Sequence, residues 1–249
     1  MKLEGLTVLD LSLFLPGPAA TQMMADHGAR IIKVENPRAP EPTRSADAFP
    51  WQQGDETVMF RNTQRGKESI ALDLKTDPGK RALLALAKTV DVVVEAFRPG
   101  VAARLGIDYA TLSKDNPGLV YCSISAFGQT GPWCDRPAHD TATVAAAGVL
   151  DVTRSPEGHA GPAIIGVPIA DMLASNLALS GILMALLRRQ TTGQGDFVDI
   201  SMFESVLAAS PNIMGPVFGG DQAPERLKER THGGNAMLNV YETADGKYL

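Results

Sequence analysis

The stretch LTVLDLSLFLPGPAATQMMADHGARIIKVE, residues 6–35, decides the fold class of this chain. Residues 6–11 are β-prone, residues 16–28 run from a Pro/Gly turn through a helical pattern to Gly28, and residues 29–35 are β-prone again. A strand, a helix and a second strand in this order predict a βαβ unit, in which the two strands run in parallel.

The same alternation returns further along the chain. Strand and helix patterns follow one another at 69–74 (strand), 77–89 (helix), 91–97 (strand), 101–117 (helix) and 119–128 (strand). Such alternation favours a parallel sheet that is covered by helices on both faces. We therefore predict an α/β fold with a Rossmann-like, mostly parallel sheet.

The predicted domain organisation is a large domain over residues 1–225 and the start of a smaller domain over residues 226–249. The last residues predict a hairpin around Asp245–Gly246, and the sequence stops within its returning strand, so we expect the small domain to be truncated.

Composition excludes several classes of protein. The chain has 249 residues, 44% hydrophobic and 20% charged, with a net charge of −5, and no run of Lys or Arg is dense enough to follow a nucleic acid backbone. Cys122 and Cys134 lack metal-site spacing, which predicts free thiols and a cytoplasmic location. Polar residues interrupt the apolar stretch Met172–Leu187, so we predict no membrane anchor.

Common catalytic motifs are missing from the sequence. The first turn, LFLPGPAA at 13–20, has one glycine between two prolines and so lacks the Gly-x-Gly turn of a dinucleotide site. There is no Walker-type loop, GxSxG elbow or HExxH motif. The histidines His139, His159 and His232 do not have the spacing of a metal triad, so we predict no metal.

One carboxylate stands at the front of an apolar stretch, GVPIADMLASNLALSGILMALLRR at 166–189. Asp171 there is either a helix cap, which accepts hydrogen bonds from the first backbone N–H groups, or a catalytic group. His139 also has two interpretations. It is either a histidine at a helix N-terminus that Asp140 caps, or a catalytic group. Lys75 and Arg104 are solvated surface charges in the simplest interpretation.

Several segments, in this order along nearly the whole chain, resemble the class III (CaiB/BaiF-like) CoA-transferase family. This family includes formyl-CoA transferase, the carnitine CoA-transferases and the α-methylacyl-CoA racemases. The segments that carry the resemblance are LPGPAATQMMADHGARIIKVENP (15–37), NTQRGKESIALDLKTDPGK (62–80), EAFRPGVAARLG (95–106), AFGQTGPWCDRPAHD (126–140), the stretch 166–207 that begins GVPIADM, and NVYETADGKYL (239–249).

The resemblance implies that Asp171 is the catalytic carboxylate and that His139 lies near the same thioester. In a CoA transfer, Asp171 attacks the thioester of an acyl-CoA and passes the CoA to a small carboxylic acid. In a racemase, His139 and Asp171 exchange the α-proton instead, and the presence of His139 is compatible with both. A third possibility is a fragment that binds CoA without turnover.

The resemblance also implies a CoA-binding large domain and an interlocked homodimer. The residues that it assigns to CoA are Leu15, Pro16, Leu72, Asp73, Leu74, Lys75, Ala96, Phe97, Arg98 and Arg104. Leu15 and Pro16 replace a Gln-Ala pair of formyl-CoA transferase, and Asn36 replaces an arginine that relatives often place near the adenine. The resemblance therefore identifies the CoA carrier but not the acyl group.

Overall fold

A computed structural model describes residues 1–47, 49–153, 161–162, 164–220, 222 and 241–247 of the chain. Its strands are β1 (Thr7–Asp10), β2 (Arg30–Glu35), β3 (Gln52–Gln53), β4 (Glu56–Thr57), β5 (Glu68–Ala71), β6 (Val92–Glu95), β7 (Val120–Ser125) and β8 (Asp196–Ser201). Its helices are α1 (Pro16–Asp26), α2 (Val58–Gln64), α3 (Asp77–Ala87), α4 (Val101–Leu105), α5 (Tyr109–Leu112), α6 (Asp140–Ala146), α7 (Val149–Val152), α8 (Ile169–Thr192), α9 (Met202–Ala208) and α10 (Pro211–Gly220), with a 3-10 turn at Pro42–Arg44.

The chain divides into two compact units. The first contains Met1–Pro137 and Asp171–Met202, and the second contains Ala138–Ala170 and Phe203–Leu249 as far as these are described. The predicted boundary between residues 225 and 226 lies outside the described residues, so it stays a prediction.

A parallel sheet of six strands, in the order β5-β2-β1-β6-β7-β8, is the centre of the first unit. The prediction of a mostly parallel α/β fold is confirmed. The strand order reverses between β1 and β6, and open sheets of this kind bind ligands at the carboxyl ends of the strands around such a point.

Side chains alternate between the two faces of each strand, so the sheet carries two different layers. One face holds an apolar cluster that includes Leu9, Val34 and Val93, and α3 adds Leu83 to it. The opposite face is covered by α1, which contacts β1 and β2, and at β8 by α8. At this contact a Cβ on Gly181 of α8 would lie 2.7 Å from a methyl group of Val198, so the helix approaches β8 closely.

Helix α8 has 24 residues and extends beyond the apolar stretch Met172–Leu187 at both ends. By length and composition it is long and apolar enough to cross a membrane, although polar residues interrupt it. Its buried residues Ala174, Ala178, Ile182 and Ala185 nevertheless recur at helical spacing, which is the pattern of a helix packed on a protein core.

Candidate active site

One hydroxyl group joins the first residue of α1, at the end of the turn that follows β1, to the first turn of α8. Ser175 Oγ donates to the Pro16 carbonyl oxygen at 2.8 Å and lies 2.7 Å from the carbonyl oxygen of Asp171. Ser175 is fully buried, whereas Asp171 is half-buried. The backbone of Asp171 is therefore held beside the turn that follows the first strand, and its side chain is not sealed in the core.

Asp171 lies inside helix α8 rather than before it. The helix begins at Ile169, so the alternative that Asp171 is the N-cap residue is wrong. In the second unit, Asp140 Oδ1 accepts a hydrogen bond at 2.7 Å from the backbone N–H of Ala170, so Asp140 caps α8. A carboxylate in the first helical turn, like that of Asp171, is favoured by the positive end of the helix dipole.

His139 is the N-cap residue of α6 in the second unit, and its side chain makes no capping hydrogen bond. Its imidazole is exposed, and its carbonyl oxygen accepts a hydrogen bond from Thr143 Oγ1 at 2.9 Å. The other two histidines considered from the sequence as metal ligands, His159 and His232, lie outside the described residues.

A cavity of about 220 Å³ lies at the carboxyl ends of β1, β2, β5 and β6 in the first unit. Its lining residues are Leu11, Leu13, Val34, Asn36, Ala39, Leu72, Asp73, Leu74, Lys75, Phe97, Val101 and Leu105. Most of these side chains are apolar, and a few polar groups lie at the edge, which is the usual composition of a small-molecule site.

Half of the residues that the sequence assigned to CoA line this cavity: Leu72, Asp73, Leu74, Lys75 and Phe97. The remaining five, Leu15, Pro16, Ala96, Arg98 and Arg104, are not among its lining residues. Arg104 is exposed on α4, next to Leu105, which does line the cavity.

Residues that the sequence reasoning missed complete the cavity. Leu11 and Leu13 follow β1, Val34 belongs to β2, and Val101 begins α4. The alternation of apolar residues along the strands could have indicated Leu11 and Val34, because both fall on the face that carries the apolar cluster.

Four buried charges fix the turn between β1 and α1. Asp10 at the end of β1 accepts hydrogen bonds from Ser12 N at 2.9 Å and from Lys67 Nζ at 3.1 Å. Lys33 Nζ donates to the Ser12 carbonyl oxygen and lies 3.1 Å from Glu41 Oε2. Burial alone would raise the pKa of Asp10, but Lys33, Lys67 and the hydrogen bonds outweigh it and hold that pKa well below its ordinary value.

Phe14, in the middle of this turn, has a strained backbone. Its φ of 64° lies in the left-handed region, which bulky side chains rarely occupy. The Phe14 N–H donates to Glu41 Oε1 at 3.0 Å, and Glu41 is 1% exposed and paired with Lys33. Strain of this kind persists where the surroundings hold it, and it is common at functional sites.

The chain belongs to CoA-transferase family III. The model of that family matches residues 3–249, which is almost the whole sequence. The family assignment agrees with the resemblance seen in the sequence, with the parallel sheet and with a cavity at its carboxyl edge.

Named relatives are CoA-transferases that are longer than this chain. The acetyl-CoA:oxalate CoA-transferase of Acetobacter aceti is 37% identical over 246 residues, which cover 99% of this chain and 62% of that protein. The succinyl-CoA:glutarate CoA-transferase of Homo sapiens is 33% identical over 244 residues, which cover 98% of this chain and 55% of that protein. The crystal structure of a CAIB/BAIF family protein from Brucella suis superimposes with a TM-score of 0.87 at 32% identity, over 99% of this chain and 64% of that one.

Proposed function

We propose that this protein transfers CoA from an acyl-CoA thioester to a free carboxylic acid, with Asp171 as the nucleophile. The observation that carries the proposal is the position of Asp171. Its backbone is tied through Ser175 to Pro16, three residues beyond Leu13, which lines the cavity. The turn between β1 and α1 thus connects the cavity, where we place the CoA part of the thioester, with a half-buried carboxylate.

CoA binding is assigned to this cavity. The apolar lining by Leu72, Leu74 and Phe97 suits the flat face of the adenine ring, and Lys75 and Arg104 are exposed cations for the phosphate groups. Arg38 is a further exposed cation nearby, since its Nε lies 4.0 Å from Asp73 Oδ2 at the cavity.

The reaction splits one difficult exchange into acyl transfers. A carboxylate oxygen of Asp171 attacks the thioester carbonyl, the C–S bond breaks, and an acyl-aspartyl anhydride and CoA thiolate result. The thiolate then attacks the aspartyl carbonyl of the anhydride, which releases the donor acid and leaves an aspartyl-CoA thioester. The acceptor carboxylate repeats both steps in reverse order and leaves as the new acyl-CoA, with Asp171 restored.

This chemistry requires an ionised Asp171. Its place in the first turn of α8 favours the anion, and its partial exposure avoids the full cost of burying a charge. Acids such as oxalate and glutarate occur in the names of the relatives, so small carboxylic acids are the acceptors to test first.

Racemisation is the second candidate function, since His139 is exposed and could act as one of two bases. A third candidate is a chain that binds CoA without turnover.

We further propose a homodimer and, from two free thiols, a cytoplasmic location. Sedimentation of the purified protein tests the dimer, and fractionation of the source cells tests the location.

The deciding experiment traps the intermediate. The protein is incubated with acetyl-CoA or succinyl-CoA and hydroxylamine, and Asp171 is examined by mass spectrometry. We expect a hydroxamate on Asp171 in the wild type and none in Asp171→Asn, which keeps the size of the side chain. Asp151→Asn, on a carboxylate in the first turn of α7, is the matched control and should leave the adduct intact.

Two outcomes contradict the transfer mechanism. Deuterium from solvent at the α-carbon of the substrate, without an adduct, identifies a racemase. CoA binding without an adduct or deuterium exchange identifies a chain that binds but does not react.

A further inference from the structure

A second cavity, of about 310 Å³, lies in the first unit on the same face of the sheet as the cavity assigned to CoA. Glu95 at the end of β6, Tyr121 and Ser123 on β7, and Phe197 on β8 line it. Helix α4 lies between the two cavities, because its residues line both: Ala102 and Ala103 line this one, and Val101 and Leu105 line the other.

The charged residues that line the second cavity are both acidic. They are Glu95, which is 3% exposed, and Asp108, which precedes α5. A third carboxylate, Asp199 on β8, accepts a hydrogen bond from the Gln129 N–H at 3.0 Å beside the cavity. Arg104 is an exposed basic residue near the rim. It lies beside Gly100, which lines the cavity, because a Cβ added to Gly100 would be 3.2 Å from Arg104 Nη1.

Three aromatic rings form one wall of the cavity. The centroid of the Tyr109 ring is 5.7 Å from that of Phe197 and 6.3 Å from that of Tyr121, and the Tyr121 and Phe197 centroids are 5.9 Å apart. Phe197 is 40% exposed and Tyr121 is 2% exposed. The Tyr121 hydroxyl has no hydrogen-bond partner within the part of the chain that the structure describes.

The Glu95 carboxyl is held in place by the protein. It accepts a hydrogen bond from the Phe97 N–H at 2.6 Å and another from the Ser123 hydroxyl, which itself accepts from Gln129 Nε2 at 2.8 Å. Burial and, to a smaller extent, the charge of Asp199 raise the pKa of Glu95 to about 7 against these hydrogen bonds. Cys122, which points to the opposite face of β7, and Tyr121 are other titratable groups that interact with Glu95.

We propose that this cavity is a second ligand site and that it takes a small organic ammonium ion. Aromatic faces attract such cations, and a buried carboxylate supplies the counter-charge. The two carboxylates in the lining would repel the phosphates of CoA, so the site is distinct in its chemistry from the cavity assigned to CoA. Since α4 borders both cavities, a ligand here would also contact the helix that carries Arg104.

Benzylammonium is a suitable probe, with benzyl alcohol as its neutral counterpart of similar shape. Calorimetric titration of the full chain with each compound near pH 7 should detect binding of benzylammonium only. Because a bound cation lowers the pKa of Glu95, binding should release protons, which titrations in two buffers of different ionisation enthalpy measure. Backbone amide NMR shifts of Phe97 and Gln129 locate the binding.

Variants separate the proposed site from unspecific binding. Glu95→Gln should weaken benzylammonium binding about tenfold or more and abolish proton release, and Phe197→Leu, at a partly exposed position, should weaken it severalfold. Glu68→Gln, on the strand at the opposite edge of the sheet, should bind like the wild type. Equal binding of benzyl alcohol, unchanged binding in Glu95→Gln, or shifts confined to other residues would overturn the proposal.

Discussion

Ser175 and Pro16 are 159 residues apart in the sequence and are joined by a hydrogen bond of 2.8 Å. The same hydroxyl lies 2.7 Å from the Asp171 carbonyl oxygen, one helical turn earlier. A serine inside a helix usually bonds back to its own helix. Ser175 does this and also bonds to Pro16 at the start of α1. It therefore sets the position of the first turn of α8 against the turn that borders the cavity. We interpret it as a positioning residue for Asp171.

Replacing Ser175 by Ala should lower kcat by about tenfold or more while KM for the acyl-CoA changes little, because a small misplacement of a nucleophile is costly. The lost hydrogen bond should reduce the free energy of unfolding by about 1 kcal/mol. Ser180→Ala on the same helix is the control, since that exposed hydroxyl donates to Asn176 O of its own helix at 2.8 Å. Equal kcat in both variants would show that Ser175 has no positioning role.

The sequence predicted the parts of this architecture that depend on local pattern. Alternating strands and helices gave the parallel sheet, and the resemblance gave five residues that line one cavity. The sequence did not predict the contacts between segments that are distant along the chain. Nothing local to Asp140 indicates that it caps α8 at Ala170, and nothing local to Glu41 or Glu95 indicates that both are buried. Their burial depends on which strands become neighbours, which patterning along one strand does not reveal.

The backbone of Phe14 offers a direct test of strain. Phe14→Gly should be more stable than Phe14→Ala by about 1 kcal/mol, because only glycine adopts a φ of 64° without steric cost. Exposed Met184 in α8 provides the reverse control, since there Gly should be less stable than Ala by about 1 kcal/mol. Urea unfolding of the four variants measures both differences. The same sign at both positions would refute the strain at Phe14.

The CoA assignment predicts a change in salt dependence. Lys75→Ala and Arg104→Ala should each weaken CoA binding and reduce its sensitivity to added salt, because an exposed cation that faces a phosphate is screened by salt. Arg30→Ala removes an exposed cation at the start of β2, paired with Glu68 of the edge strand β5 at 2.8 Å, and should bind CoA normally. Calorimetric titration with CoA at several salt concentrations gives the comparison. Unchanged affinity in both variants would remove these residues from the site.

The buried pair Lys33–Glu41 should be essential to the turn that carries Phe14. Lys33→Met leaves Glu41 as a buried charge without its counter-ion and should lower the free energy of unfolding by about 3–5 kcal/mol. The double variant with Glu41→Gln should recover part of this loss, because it removes the stranded charge as well. Lys88→Met, in an exposed pair with Asp115, should cost less than about 1 kcal/mol. A double variant no more stable than Lys33→Met alone would contradict the pairing.

Glu95 should make the stability of the protein depend on pH between its unfolded and folded pKa values. The ordinary pKa of 4.5 is raised to about 7 in the folded chain, first by burial and then by Asp199. Below the lower value the carboxyl is protonated in both states and has no effect on stability. As the pH rises from there, the unfolded state loses the proton first, so stability falls until the folded pKa is passed. The size of this shift corresponds to about 3 kcal/mol.

Glu95→Gln has no proton to lose, so its free energy of unfolding should gain about 3 kcal/mol relative to the wild type between about pH 4 and about pH 8. The difference between the two proteins is the informative quantity, because other groups titrate equally in both. Glu35, whose pKa burial would raise but Arg44 and Ser69 hold at about 2, contributes a slope of the opposite sign between about pH 2 and its ordinary pKa of 4.5. Urea unfolding at each pH measures it, and a difference that stays constant with pH would show that Glu95 is not held in a raised-pKa environment.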